Sequence, residues 1–303
     1  MPETAATSRQ FAVSSWTATV TRAMRPAHWL KNGVVFAGLV FGGKLLEPDA
    51  VASAALAVLA FCLLSSGFYL VNDVRDRDAD RLHPVKRLRP VPAGELAPRT
   101  AGVLGAFLIL FATAASALLD WRLLLVFLAY TGLMAAYNLG LKEIAILDVF
   151  AIAAGFVLRA VAGAVVVDVS ISPWLLVCTM LLALLIGFGK RRYELVALEN
   201  ARGHRRNLSV YNQPMLDQSV AVTAAGTLIA YAVYTFDSES AQYHHRMMLT
   251  IPFDAYGVFR YLYLLYLGGQ GGAPESMLLT DRPLVAAVAT WAVVSAILFY
   301  FAG

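Results

Sequence analysis

The sequence predicts an all-α fold: a polytopic integral membrane helix bundle of nine transmembrane helices, with its N-terminus in the cytoplasm. Three observations predict it. Of the 303 residues, 59% are hydrophobic and 15% charged, and the mean hydropathy of +0.65 lies well above that of an ordinary soluble domain. Apolar runs of near-spanning length recur from residue 29 to the end of the chain. Lys and Arg gather in alternate connections between those runs. A bilayer offers no water to backbone polar groups, so each run must satisfy its own and is read as a helix rather than an isolated strand.

Residues 1–28 read as a polar cytoplasmic arm, because they lack an apolar core of signal-peptide length, and residues 29–303 as a single transmembrane domain. The expected helices lie near 29–46, 50–71, 101–118, 122–139, 145–167, 173–188, 217–237, 247–267 and 284–301. Several fall short of the roughly 20 residues of a straight span. Broken or half-buried helices are therefore expected, the first segment above all. Nineteen Lys and Arg, with Lys31 at the membrane entry counted to the arm, lie in the arm and the even-numbered connections, against Lys44, Arg122 and Arg246 on the other side. That asymmetry places the arm and its side of the molecule in the cytoplasm. Cys62 and Cys178 sit inside apolar runs and read as packing residues.

The second helix ends in an acidic stretch, Asn72 to Arg81. If the helix continues through it at about 100° per residue, Asp73, Asp76 and Asp80 fall within about 60° on one face. Asp78 lies well off that face. Crowded carboxylates repel unless a cation sits between them, and oxygen-only ligands suit a hard ion such as Mg²⁺, which also bridges to substrate phosphates. The stretch reads as a handle for a Mg²⁺-diphosphate. A solvated loop of Asp/Arg pairs is the competing reading, and composition leaves both open.

Four cytoplasmic connections carry further charge. Arg22, Arg25 and Trp29 read as positive-inside and interfacial anchors, whereas Lys31 and Asn32 stand at the mouth of the first apolar segment. After the acidic stretch come Lys86, Arg87 and Arg89, and Pro90, Pro92 and Gly94 keep that segment from extending the helix. The third connection holds Tyr137, Asn138 and Lys142. Arg159 lies some four turns on, and an intramembrane arginine is by default a functional candidate facing the bundle interior. The fourth holds Lys190, Arg191, Arg192 and Glu194, where Lys190 and Arg191 stand four and three residues before Glu194, so that a structural ion pair is the competing account. A glycine-rich run at 268–272 reads as a mobile cytoplasmic loop over the site.

Asn72-Asp73-x-x-Asp76-x-x-x-Asp80 after the second segment, Tyr137 and Lys142 after the fourth, and nine expected helices resemble the UbiA superfamily of intramembrane prenyltransferases over essentially the whole chain. A closer resemblance, to the decaprenyl-phosphate phosphoribosyltransferase family of actinobacterial cell-wall arabinan synthesis, rests on further runs. These are Arg25-Pro26-x-x-Trp29-x-Lys31-Asn32, Asn72 to Ala93, Lys142 to Gly163, and Gly189-Lys190-Arg191-x-x-Glu194-Leu195. Prenyl-diphosphate users of the superfamily resemble one another in a second Asp-rich motif after the sixth helix. Here that place holds Lys190-Arg191-Arg192-Tyr193-Glu194, which fits a substrate set richer in phosphate.

The resemblance implies an enzyme of the bacterial plasma membrane, active on the cytoplasmic face and dependent on Mg²⁺. It would transfer 5-phosphoribose from 5-phosphoribosyl 1-diphosphate to a polyprenyl phosphate and release diphosphate. It implies Asp73, Asp76 and Asp80 as metal ligands and, with Lys31, as catalytic groups. Asn72, Lys86, Arg87, Arg89, Tyr137, Lys142, Arg159, Lys190, Arg191 and Glu194 would bind substrate. The partners are these two substrates and the lipid bilayer, with no nucleic acid; association into a homo-oligomer is left open. Two other readings stand beside it: a prenyltransferase using a prenyl diphosphate and an aromatic acceptor, and a non-enzymatic lipid transporter or scaffold.

Overall fold

A computed structural model of the protein describes residues 16–197, 210–237, 245–268, 272, 277 and 279–301. The start of the polar arm, the basic stretch with Arg202, Arg205 and Arg206, and most of the glycine-rich run lie outside the described residues. Every regular element among the described residues is helical. The order is α1 (Trp16–Met24), a 3₁₀ helix (Pro26–Val35), α2 (Phe36–Phe41), α3 (Pro48–Arg75), α4 (Arg77–Leu82), α5 (Pro98–Leu119), α6 (Trp121–Leu139), α7 (Leu147–Val166), α8 (Pro173–Ala197), α9 (Gln213–Asp237), a 3₁₀ helix (His245–Thr250), α10 (Ile251–Tyr266) and α11 (Arg282–Phe301).

Among the described residues six helices are long and apolar enough to cross a membrane: Pro48–Arg75, Pro98–Leu119, Trp121–Leu139, Leu147–Val166, Pro173–Val196 and Gln213–Phe236. The protein is a multi-pass membrane bundle. Prolines open α3 and α5, where a missing backbone donor costs nothing. The Asp120 side chain opens α6 by accepting from the Arg122 amide at 2.7 Å. The outward face of α5 stays apolar, with Val103, Leu110 and Leu118 all exposed, as a lipid-facing helix requires.

The first apolar segment is not one helix. It runs as the 3₁₀ helix and the six-residue α2, and where it crosses α7 the two lie too close for ordinary side chains. A Cβ on Gly38 would strike the backbone at Gly163, and one on Gly163 would strike the carbonyl of Val35. Small residues at such crossings let membrane helices pack by contact where no hydrophobic drive exists between them. Gly67 of α3 and Gly105 of α5 make the same arrangement, with each Cβ position 2.7–2.9 Å from the other's carbonyl.

Consecutive helices pack on one another from α5 to α9, while α7 also meets α2, α3 and the first 3₁₀ helix. One apolar core joins α3, α6 and α7 around Phe61, Phe127 and Tyr130. A second joins α7 through α10 around Val149, Phe188, Tyr211 and Tyr261. Helix α7 belongs to both: Val149 and Ala153 near its N-terminal end lie in the second core, and Ala162 towards its C-terminal end in the first.

Candidate active site

Helix α3 carries Asn72 and Asp73 in its last turn, then breaks at Asp76 (φ −91°, ψ 8°) before α4 restarts at Arg77. The three aspartates are therefore not presented by one uninterrupted helix. Asp73 is fully buried and meets Arg25, while Arg89 Nη1 donates to its Oδ1 at 3.1 Å. The same Arg89 nitrogen reaches Asp80 Oδ2 at 2.7 Å, and Lys86 Nζ stands 3.5 Å from the other Asp80 oxygen. Burial, with the Arg25 charge beside it, pulls the Arg89 guanidinium below its ordinary value, against the two aspartates that hold it up.

Asp76 turns to a different partner. Lys142, on the 3₁₀ turn Leu141–Glu143 that follows α6, places its ammonium 2.7 Å from both Asp76 oxygens and 3.5 Å from Asn72 Oδ1. Residues some seventy positions apart thus close the site from opposite sides. Asp78 points to solvent, 80% exposed beside Arg77 and Arg81. Arg87 is exposed on the turn Lys86–Leu88. Tyr137 and Lys31 are half-buried.

Arg25 corrects the sequence reading. Read as a positive-inside anchor, it instead ion-pairs with buried Asp73 and stacks over the Tyr69 ring, its Cζ 4.8 Å from the ring centroid. The signal available was its place in the Arg25-Pro26-x-x-Trp29 run. Arg159 does face the interior, where Nε donates to Asn32 Oδ1 at 2.8 Å, Nη1 to the Gly155 carbonyl and Nη2 to the Tyr130 hydroxyl. Asn32, at the mouth of the first segment by sequence, is buried as Arg159's partner.

After α8's apolar stretch, the spacing-based ion pair forms: Arg191 Nη1 donates to Glu194 at 2.5 Å. Its Nε reaches Asp148 at 2.6 Å, and the guanidinium is only 2% exposed. Asp148 went unnoticed in the sequence because it stands alone in an apolar run. Arg192 pairs with Asp217 at 2.5 Å and lies over the Tyr266 ring, so it joins α8, α9 and α10. Lys190 is half-buried on the same turn.

Four cations, Arg25, Lys86, Arg89 and Lys142, thus face three carboxylates. Among the described residues no three acidic, His or Cys side chains converge as a ready-made metal cage. The donor set nonetheless fits a hard cation. Asp73 Oδ2 is buried with no hydrogen-bond partner, a costly state for an anionic oxygen. Asp76 and Asn72 add oxygen donors within reach of one ammonium. Mg²⁺ is commonly held by one or two carboxylates, with water and substrate phosphate completing its shell.

A model of the UbiA prenyltransferase family matches residues 33–302. The chain is 33% identical over 286 residues to a protein named decaprenyl-phosphate phosphoribosyltransferase from Mycolicibacterium smegmatis, covering 89% of each. It is 31% identical over 280 residues to one of the same name from Corynebacterium glutamicum, covering 89% of this chain and 83% of that protein. Its fold is similar to that of a UbiA homologue from Archaeoglobus fulgidus solved with DMAPP and Mg²⁺, with a TM-score of 0.73 at 19% identity over 93% of this chain and 99% of that one. With helices, acidic stretch and full-length similarity in agreement, the chain belongs to the UbiA prenyltransferase family.

Proposed function

We propose that the chain transfers 5-phosphoribose from 5-phosphoribosyl 1-diphosphate to a polyprenyl phosphate of the decaprenyl type, releasing diphosphate. The product would feed cell-wall arabinan precursor synthesis. The observation that carries this reading is the 31–33% identity, over about nine-tenths of the chain, to relatives that bear the name of that activity. The excess of cations over carboxylates at the site supports it, since both substrates arrive heavily phosphorylated.

In this reading Asp73 and Asp76, with Asp80 beside them, would hold Mg²⁺, which would supply charge neutralisation to the leaving diphosphate. The chain's own residues do the rest. Lys142 and Tyr137 engage the leaving group, and Lys31 faces the lipid phosphate from the end of the first segment. Lys86, Arg87, Arg89 and Lys190 take the sugar phosphate and diphosphate. Arg191 and Glu194, committed to each other and to Asp148, hold that turn of α8 in place.

As the bond between ribose C1 and the diphosphate oxygen breaks, the sugar gains oxocarbenium character, which the fixed carboxylates stabilise. An oxygen of the lipid phosphate forms the new bond to C1. That oxygen is already anionic, so no general base is needed.

The site lies on the cytoplasmic face of the bacterial plasma membrane, in a domain spanning 29–303. Nine spans follow if the two segments built from a 3₁₀ helix and a shorter α-helix, and α11, cross with the six longer helices. The test is diphosphate release by detergent-purified protein with Mg²⁺. Release that needs both 5-phosphoribosyl 1-diphosphate and polyprenyl phosphate supports the reading. Release only with a prenyl diphosphate and an aromatic acceptor would make the chain a prenyltransferase, and none with either pair would leave a carrier.

A further inference from the structure

We infer that Tyr211 is a positioning residue for the transfer site: its hydroxyl fixes the bend at Ile146 that seats the Lys142 turn against Asp76. Ile146 is the last residue before α7 and has φ 72°, ψ −51°. A β-branched residue rarely adopts positive φ, and such strain persists only where surroundings over-determine it. The Tyr211 hydroxyl supplies that constraint. It accepts the Ile146 N–H at 2.5 Å and donates to Asp148 Oδ1 at 3.0 Å.

The clamp is itself braced. Asp148 is fully buried, and its other oxygen takes the Arg191 Nε donor, whose guanidinium continues to Glu194. Burial pushes the Tyr211 phenol up to about 12, so it remains a donor to Asp148 at neutral pH. From Ile146 the constraint has only a short path to the site. The Ile144 amide donates to Leu141, the Asp148 amide donates to Ile144, and Glu143 donates to Gly140. These bonds leave the Gly140–Asp148 segment one hydrogen-bonded unit with Lys142 at its tip. Tyr211 enters from the connection before α9, far in sequence from either aspartate or lysine, and joins α8 and α9 to the lysine that meets Asp76.

The inference rests on the phosphoribosyl-transfer reading for its kinetic test alone. In that test Tyr211→Phe, which keeps the ring and removes the hydroxyl, is combined with Lys142→Ala in a double-mutant cycle, with thermal unfolding followed in parallel. Tyr211→Phe alone is expected to lower kcat/KM at least about fivefold, and to add less than about twofold on the Lys142→Ala background. Losses that multiply in the double variant would mean that Tyr211 merely supports the fold.

A second measurement needs no turnover: the rate at which an amine-reactive acylating reagent labels Lys142, read by peptide mass spectrometry. Faster labelling in folded Tyr211→Phe than in the parent supports the clamp, and an unchanged rate overturns it. A parent protein that transfers no phosphoribose would sink the functional reading while the labelling result still decides this one. If Tyr211→Phe does not purify folded, Asp148→Asn, which weakens the other end of the clamp, undergoes the same two measurements.

Discussion

Lys142 lies across Asp76, with its ammonium 2.7 Å from both carboxylate oxygens. This pair ties the α6–α7 connection to the end of α3. It places a cation at the break in the acidic stretch, where a diphosphate would arrive. If the proposed donor binds there, a phosphate oxygen would take the place of the Asp76 carboxylate as the partner of Lys142.

Replacing Lys142 by Met removes that cation while keeping the length of the side chain. The expected result is weaker retention of 5-phosphoribosyl 1-diphosphate, seen as a rise in its KM of roughly tenfold, the loss of one charge-assisted contact. Steady-state kinetics at varied donor concentration measures it. An unchanged KM would remove Lys142 from substrate binding.

Asp73→Asn and Asp76→Asn keep shape and remove charge. Each is expected to lower turnover per folded molecule by about 100-fold or more; Asp76→Asn should keep the parent's unfolding temperature, and Asp73→Asn, which leaves Arg25 and Arg89 short of a buried partner, should lower it. Full activity in either variant at limiting Mg²⁺ would take that residue out of the metal site.

Arg159 predicts the opposite pattern. Its guanidinium is shared among Asn32, Gly155 and Tyr130, which join the first 3₁₀ helix, α6 and α7. Interhelical hydrogen bonds in bilayers average about 0.6 kcal/mol each, and two of the three, those to Asn32 and Tyr130, run between helices, so Arg159→Leu is expected to cost roughly 1 kcal/mol of stability. Turnover per folded molecule should change little. A large fall in turnover with unchanged unfolding temperature would instead give Arg159 a direct part in binding phosphate.

Gly163→Ala tests the packing of the first segment against α7. The added methyl meets the Val35 carbonyl, and over-packing of this kind typically costs about 1–3 kcal/mol. Thermal unfolding in detergent would show it. A neutral substitution would mean that the first 3₁₀ helix can retreat from α7 without loss.

The long helices were legible because hydrophobic length and positive connections act locally. The expected 50–71, 101–118 and 122–139 appear as Pro48–Arg75, Pro98–Leu119 and Trp121–Leu139. The broken first segment was foreshadowed by its short apolar run, but its partner, Gly163, is a tertiary fact. The acidic stretch was visible as a cluster. Its division, with Asp73 and Asp80 on Arg89 and Asp76 on Lys142, depends on the break at Asp76 and on a turn some seventy residues away. Spacing suggested an ion pair of Lys190 or Arg191 with Glu194, and Arg191 makes it. Asp148 and Tyr211 gave no pattern, because an isolated buried acid and a tyrosine before a helix acquire meaning only from what folds onto them.

The central claim is tested most directly by following the sugar. Detergent-purified protein is incubated with Mg²⁺, 5-phosphoribosyl 1-diphosphate labelled in the ribose, and polyprenyl phosphate, and the mixture is then extracted with organic solvent. The account predicts label in the lipid phase, lost on chelation and in Asp73→Asn. Label that stays in water, while a prenyl diphosphate and an aromatic acceptor are turned over, would contradict it.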